Sequence, residues 1–249
     1  MSNPVLREEV FNSERNYESL NLDKPMSASG TLLKTLFLGV LLCMTAAYSW
    51  YLVYGGFADK ASLLATVGAF GGFIMAMIIC FAPKNNALAF TTPIYAMLEG
   101  LFLGGISAVF NVEFPGIVSQ AVLGTMFAVF GVYALYSSKV LRATETFWKV
   151  LFIATFSVAG IYILQLILAL FHTTIPYIFT SSPVGIGFSV VVCLIAALNL
   201  VIDFDFINRY SGQEPKYMEW YGGFSLMVTI VWLYIEILNL LAKVANRNN

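Results

Sequence analysis

The sequence predicts an all-α integral membrane protein with seven transmembrane helices, and three observations carry that reading. Of 249 residues, 59% are hydrophobic and 11% charged, where a soluble domain has about 25% charged residues. Mean hydropathy is +0.80. Seven apolar stretches each reach the roughly 20 residues that a helix needs to cross a bilayer core about 30 Å thick. They are too long, and alternate too little, to be strands of a membrane barrel.

The stretches follow in order, separated by short connections rich in helix breakers. Helix 1 is expected over about Leu32–Tyr54, ending at "YGGFADK". Helix 2 covers about Ser62–Ala82 and carries Gly68, Gly72 and Ala76 at intervals of four. After "APKNN" comes helix 3, about Phe90–Phe110, with a second small-residue stripe of Ala96, Gly100, Gly104 and Ala108. Such stripes let helix backbones approach closely. Helix 4 follows "NVEFPG" and runs about Ile117–Ser137. Helix 5, about Phe147–Phe171, follows "SSKVLRATET". Helix 6, about Val184–Ile207, follows "HTTIPYIFTSSP", and helix 7 covers about Gly222–Lys243. In the connection between helices 6 and 7, Pro215–Tyr221 is expected to form a short interfacial turn, with Gly222–Gly223 bending the chain into helix 7. Trp50, Tyr51, Tyr54, Trp148, Tyr217, Trp220 and Tyr221 suit the membrane interface. Residues 1–30 read as a flexible cytoplasmic tail and 31–249 as a seven-helix transmembrane domain. Within the tail, "FNSERNYESL" has the composition of a short helix.

Several function classes are disfavoured at this level. Net charge is -1, so no basic surface points to a nucleic-acid partner. Cys43, Cys80 and Cys193 lie in apolar runs without metal-ligand spacing. His172 is the single histidine, so no metal site can be built on histidines. With no Gly-x-Ser-x-Gly and no metal motif, no enzyme and no cofactor are expected. A retinal protein is disfavoured because helix 7 has no lysine at its middle.

Acids inside the apolar stretches are the exception. An ionisable group at the bilayer centre costs about 2.5–3.5 kcal/mol on the mildest scale, and such groups mark function by default. Glu99 sits in "IYAMLEGLFLGG" on helix 3. Asp203 and Asp205 sit in "NLVIDFDFINRY" on helix 6, two residues apart and therefore on nearly opposite faces. Asp203 shares its face with Asn199, which places Asp203 inward and Asp205 nearer the cytoplasmic interface. On helix 7, Ser225, Thr229, Glu236, Asn239 and Lys243 recur along one face. Lys34, Lys149 and Lys243 are at helix ends, where they can snorkel. The acids must then be protonated, bonded to each other, or neutralised by a cation.

The surroundings of these acids resemble the Bax-inhibitor family, also called the transmembrane Bax inhibitor motif family. "LYIEILNLL" is similar to its last-helix pattern, with Glu236 where Asp is usual. "YAMLEGLFLGGIS" is similar to its glutamate-glycine helix, and "DFDFI" to its Asp-Thr-x-x-Ile segment, with Asp203 at the Asp and Ile207 at the Ile. "EWYGGFSLMVTIVWLYIEILNLL" is especially like the bacterial branch. The resemblance implies a bundle in which helix 7 is central, surrounded by the other six. It also implies a pH-sensitive calcium leak gated by a pair of acids, here Asp203 and Glu236. Family members are further linked to modulation of membrane proteases.

The leading expectation is thus a pH-sensitive cation leak channel, for calcium, in a bacterial inner membrane. Asp203, Glu236, Glu99 and Asp205 sense protons or bind the ion, and Asn199, Thr229 and Asn239 support them. Asp203 and Glu236 are the candidate calcium ligands, since carboxylates are hard oxygen donors. Two acids sharing a site do not both ionise cheaply, which gives a proton switch without histidine. The expected partners are the lipid bilayer and calcium or protons. The alternative is a non-conducting regulator that binds a membrane protease or other membrane protein.

Orientation follows the basic residues. Arg7, Arg15, Lys24, Lys34, Lys84, Lys139, Arg142, Lys149, Arg209 and Lys216 fall on one side, ten of thirteen. Lys60, Lys243 and Arg247 fall on the other. The N-terminus is therefore expected in the cytoplasm and the C-terminus outside. Single cysteines at positions 2 and 249 of a cysteine-free variant should label from opposite faces of the membrane; labelling from the same face would refute the seven-span topology.

Overall fold

The structure is a computed structural model that describes residues 25–248. Most of the stretch expected as a tail, with its "FNSERNYESL" segment, lies outside the described residues. The described chain is helical, with one isolated β-bridge between Pro25 and Pro215. In chain order the helices are α1 (Ala28–Tyr54), α2 (Ala58–Phe81), α3 (Leu88–Glu113), α4 (Ile117–Ser137), α5 (Glu145–Leu170), α6 (Pro183–Tyr210) and α7 (Met218–Asn248). All seven are long and apolar enough to cross a membrane. Helix α4 has the bounds its apolar run predicts. Several others run past theirs, because hydropathy marks the membrane-embedded part while caps set where a helix starts. Thr144, for example, accepts a hydrogen bond from Phe147 N at 3.2 Å and starts α5 ahead of the apolar run. Half of the most apolar stretch of α7 is buried, the largest share of any helix here.

The chain forms two compact units. Among the described residues, the C-terminal unit holds Phe114–Asp205 and 229–248; the N-terminal unit holds 25–113 and Phe206–Val228. In the N-terminal unit the small-residue stripes are crossing points. A Cβ added at Gly104 would stand 2.7 Å from Ala46 Cα, and one at Gly68 would stand 2.8 Å from Phe102 N. Glycine at these positions brings the backbones of α1 and α2 against α3, so dispersion contacts and close backbone approach replace the hydrophobic drive that is lost in lipid. Tyr95 packs its ring edge-on against Phe224, with centroids 4.8 Å apart.

The N-terminal ends of α1 and α7 are joined by a cap. Ser27 is the N-cap of α1, and its Oγ accepts from Gly30 N at 3.0 Å. In a capping box the third helical residue is a glutamate that reaches back to the cap's own N–H. Here that position is Gly30, and α7 supplies the glutamate. Glu219 Oε1 accepts from Ser27 N at 3.0 Å and from Ser27 Oγ at 2.9 Å. A Cβ on Gly30 would run into this carboxylate. Lys34, one turn further along α1, pairs with the other oxygen of Glu219, and its ammonium lies 5.1 Å from the centre of the Trp220 ring. Glu219 also lies in the first turn of α7, where a negative charge suits the helix dipole. Residues just before α1 are anchored as well: Met26 N donates to Glu214 O at 2.7 Å, and Gly212 N donates to Met26 O at 2.8 Å.

Two expectations about the connection between α6 and α7 are corrected. Helix α7 starts at Met218 and passes through Gly222–Gly223 without a break, so Pro215–Tyr221 is not a separate turn followed by a bend. The glycines serve close packing instead. A Cβ at Gly222 would lie 2.9 Å from Thr31 Cγ2, and one at Gly223 would lie 3.3 Å from Thr35 N. Tyr221 does not turn its ring outward to the membrane interface either. It is fully buried, with the Lys84 ammonium 4.9 Å from its ring centre.

In the C-terminal unit, Phe204 packs its ring against Tyr133 and Tyr136, at 5.2 and 6.0 Å between centroids. Tyr162, Phe179 and Phe188 form a second aromatic cluster.

The shared cap predicts a specific sensitivity. Glu219→Ala removes three hydrogen bonds and takes the carboxylate partner from Lys34, so it should cost about 1–3 kcal/mol, seen as a lower melting temperature in detergent. Gly131→Ala on α4 meets nothing within 4 Å and should hold or raise that temperature; equal losses in the two variants would refute the cap.

Candidate intramembrane carboxylate site

Glu236 is built into the middle of α7 and is 3% exposed. Trp232, one turn earlier on the same helix, donates its indole Nε1–H to Glu236 Oε1 at 3.0 Å. Tyr162, in the interior of α5, places its hydroxyl 2.7 Å from Oε1 and 2.8 Å from Oε2. The tyrosine ring is wedged beside Phe179 and Phe188. This arrangement accommodates both protonation states. A carboxylate accepts from the phenol and the indole. A carboxylic acid donates to the phenol oxygen and still accepts from the indole. Glu236 can therefore gain or lose a proton without losing either neighbour.

Asp203 is fully buried on α6 in the same unit. One turn before it, Asn199 is also buried and donates to Thr155 Oγ1 at 2.9 Å and to Ile195 O at 2.8 Å. Asp205, two residues on, is half-buried. On α7, Thr229 is buried and Asn239 half-buried. Among the described residues, the Glu236 carboxylate takes its direct hydrogen bonds from Tyr162 and Trp232 rather than from Asp203. Glu99 belongs to the N-terminal unit. It is half-buried, and its Oε2 sits 2.9 Å from where a Cβ on Gly72 would be. The missing side chain at Gly72 makes room for that carboxylate. Among the described residues, no three His, Cys, Asp or Glu side chains gather as a metal-ligand group.

The sequence singled out neither Tyr162 nor Trp232 as partners of Glu236. Both carried a signal. A tyrosine or tryptophan deep in an apolar run has one polar atom that needs a partner, and Trp232 stands at the i−4 spacing that faces Glu236. Which helix would bring Tyr162 there is not visible in a linear pattern.

The last-helix acid, the glutamate beside the α3 glycine stripe and Asp203 on α6 are now in place on seven helices. A family model described as Bax inhibitor 1 like matches residues 3–246. The chain belongs to the Bax inhibitor 1 like family. No curated protein and no solved structure matches it. In this Bax inhibitor 1 like protein, the last-helix acid is thus held by an α5 phenol and an α7 indole.

Tyr162→Phe keeps the ring and removes the hydroxyl, leaving Glu236 with Trp232 alone. We expect a loss of about 1–2 kcal/mol, read as a lower melting temperature in detergent. Tyr177→Phe, at an exposed loop position, should leave that temperature unchanged.

Proposed function

We propose that this Bax inhibitor 1 like protein is a pH-sensitive cation leak, with calcium as the ion, gated by intramembrane carboxylates. The observation that supports this reading best is the burial of two carboxylates, Asp203 and Glu236, in apolar helices of one unit. Acids kept in such a medium need a proton, hydrogen-bond donors or a cation. The phenol and indole at Glu236 are donors that tolerate either protonation state, as a proton switch requires. Two carboxylates supply part of the six to eight oxygens around calcium, and carbonyls and water would supply the rest. As pH rises, ionisation of both acids places two like charges in a poorly screened region. Separation of helices or entry of a divalent cation relieves the repulsion, so flux should rise with pH. In this reading the protein lies in a bacterial inner membrane with its N-terminus in the cytoplasm.

Calcium flux into liposomes containing only this protein tests the proposal. Glu236→Gln keeps the shape and removes the titration, so flux should lose most of its pH dependence between about pH 5 and 8. Asp203→Asn should act alike and Asp205→Asn much less. An unchanged profile in Glu236→Gln makes the acid structural. No flux from the unsubstituted protein leaves the non-conducting regulator as the better reading.

A further inference from the structure

We propose that the α5–α6 loop and the first turns of α6 form a binding site for a monovalent cation, which the Lys243 ammonium fills as a tethered ion. Lys243 Nζ donates to Ser189 Oγ at 2.8 Å, to Ile178 O at 3.0 Å and to Gly185 O at 3.2 Å. The Phe179 ring centre lies 5.9 Å away. Three acceptors match the three N–H donors of an ammonium, and an aromatic face adds attraction for a cation. Ser189, the shortest partner, is itself 3% exposed.

The loop folds tightly back on itself beside this point. Tyr177 holds a left-handed backbone, φ 65°, a conformation uncommon for a residue with a side chain. Its carbonyl accepts from Ser182 Oγ at 2.8 Å and from Thr180 Oγ1 at 3.1 Å. Gly185 then lies against the loop carbonyls. A Cβ there would stand 2.7 Å from Tyr177 O and 3.0 Å from Ile178 O, and would overlap Thr180 O. A side chain at position 185 would push these carbonyls away, so glycine is what lets Ile178 O and Gly185 O stand together at the ammonium.

The chemistry names the ligand class. All three acceptors are uncharged oxygens, and they stand 2.8–3.2 Å from the nitrogen. Calcium takes oxygens at about 2.3–2.6 Å, usually with carboxylates among them. A larger monovalent ion, such as potassium or an alkylammonium, fits a ring of neutral oxygens that replaces its hydration shell. Lys243 lies seven residues beyond Glu236 on the same face of α7, about 10 Å along the axis. The Phe179 ring borders both sites, their hydrogen-bonding groups differ, and the existence of the cation site does not depend on whether the protein conducts.

A simple latch between α7 and the loop would also use these bonds, and the two roles part on their response to free cations. Asn246, one turn further on, donates to Ser181 Oγ at 2.9 Å and keeps α7 tied to the loop when Lys243 is replaced. Lys243→Ala and Lys243→Ser are purified in detergent and melted in N-methylglucamine chloride, with potassium or ethylammonium substituted at constant ionic strength. In the variants, either cation should raise the melting temperature by about 3–5 °C at ten times its dissociation constant. The unsubstituted protein, its site already filled, should not respond. The proposal is overturned if neither variant responds, or if the unsubstituted protein responds as strongly. It is equally overturned if both variants fail to fold with potassium present, because a free cation should then substitute for the ammonium.

Discussion

A carboxylate removed from water needs donors or a cation close by, and Glu219 shows how far that requirement shapes the N-terminal unit. The glutamate sits at the start of α7, yet three of its hydrogen bonds come from Ser27 and Lys34 on the α1 side. These bonds cap α1, neutralise the acid and suit the dipole of α7 at once. The consequence reaches along both helices. With α1 held against the start of α7, Gly222 and Gly223 must pass close to Thr31 and Thr35, and Tyr221 is driven into the interior. The small positions on α3 then set how near α1 and α2 approach it.

The same requirement is met differently in the C-terminal unit. Glu236 has no lysine bonded to it; neutral donors from α5 and α7 hold it. Lys243, by contrast, is met by neutral acceptors of the α5–α6 loop and the first turns of α6. An ion pair confines an acid to its charged form, whereas a phenol and an indole tolerate either form. Glu219 therefore has the surroundings of a structural charge and Glu236 those of a group free to exchange a proton. The proposed function rests on this contrast and on the burial of Asp203.

The number and order of the helices were legible because a bilayer imposes a length and a polarity that can be counted along the chain. The acids were legible because ionisable residues are rare in such runs. Glycine stripes announced close crossings, although Gly222–Gly223 was open to two readings. A glycine pair looks the same whether it bends a helix or admits a neighbour, and only the position of Thr31 and Thr35 decides for packing. Tyr221 was open in the same way, since an amphipathic ring is at home at an interface or in a buried polar niche. Ser27 looked like part of a tail because its capping glutamate is distant in sequence.

By itself the sequence determined seven helices, the runs that form them, the rare acids within them and the small residues where backbones could meet. These are local properties, set by one residue or by spacing along one helix. The tertiary structure alone decided which groups from elsewhere in the chain satisfy those charges: Tyr162 for Glu236, Ser27 and Lys34 for Glu219, and oxygens of the α5–α6 loop and α6 for Lys243. Beyond the i−4 neighbour Trp232, these partners come from other parts of the chain, and helix packing, driven by shape and close contact over many residues, chooses which part brings them there.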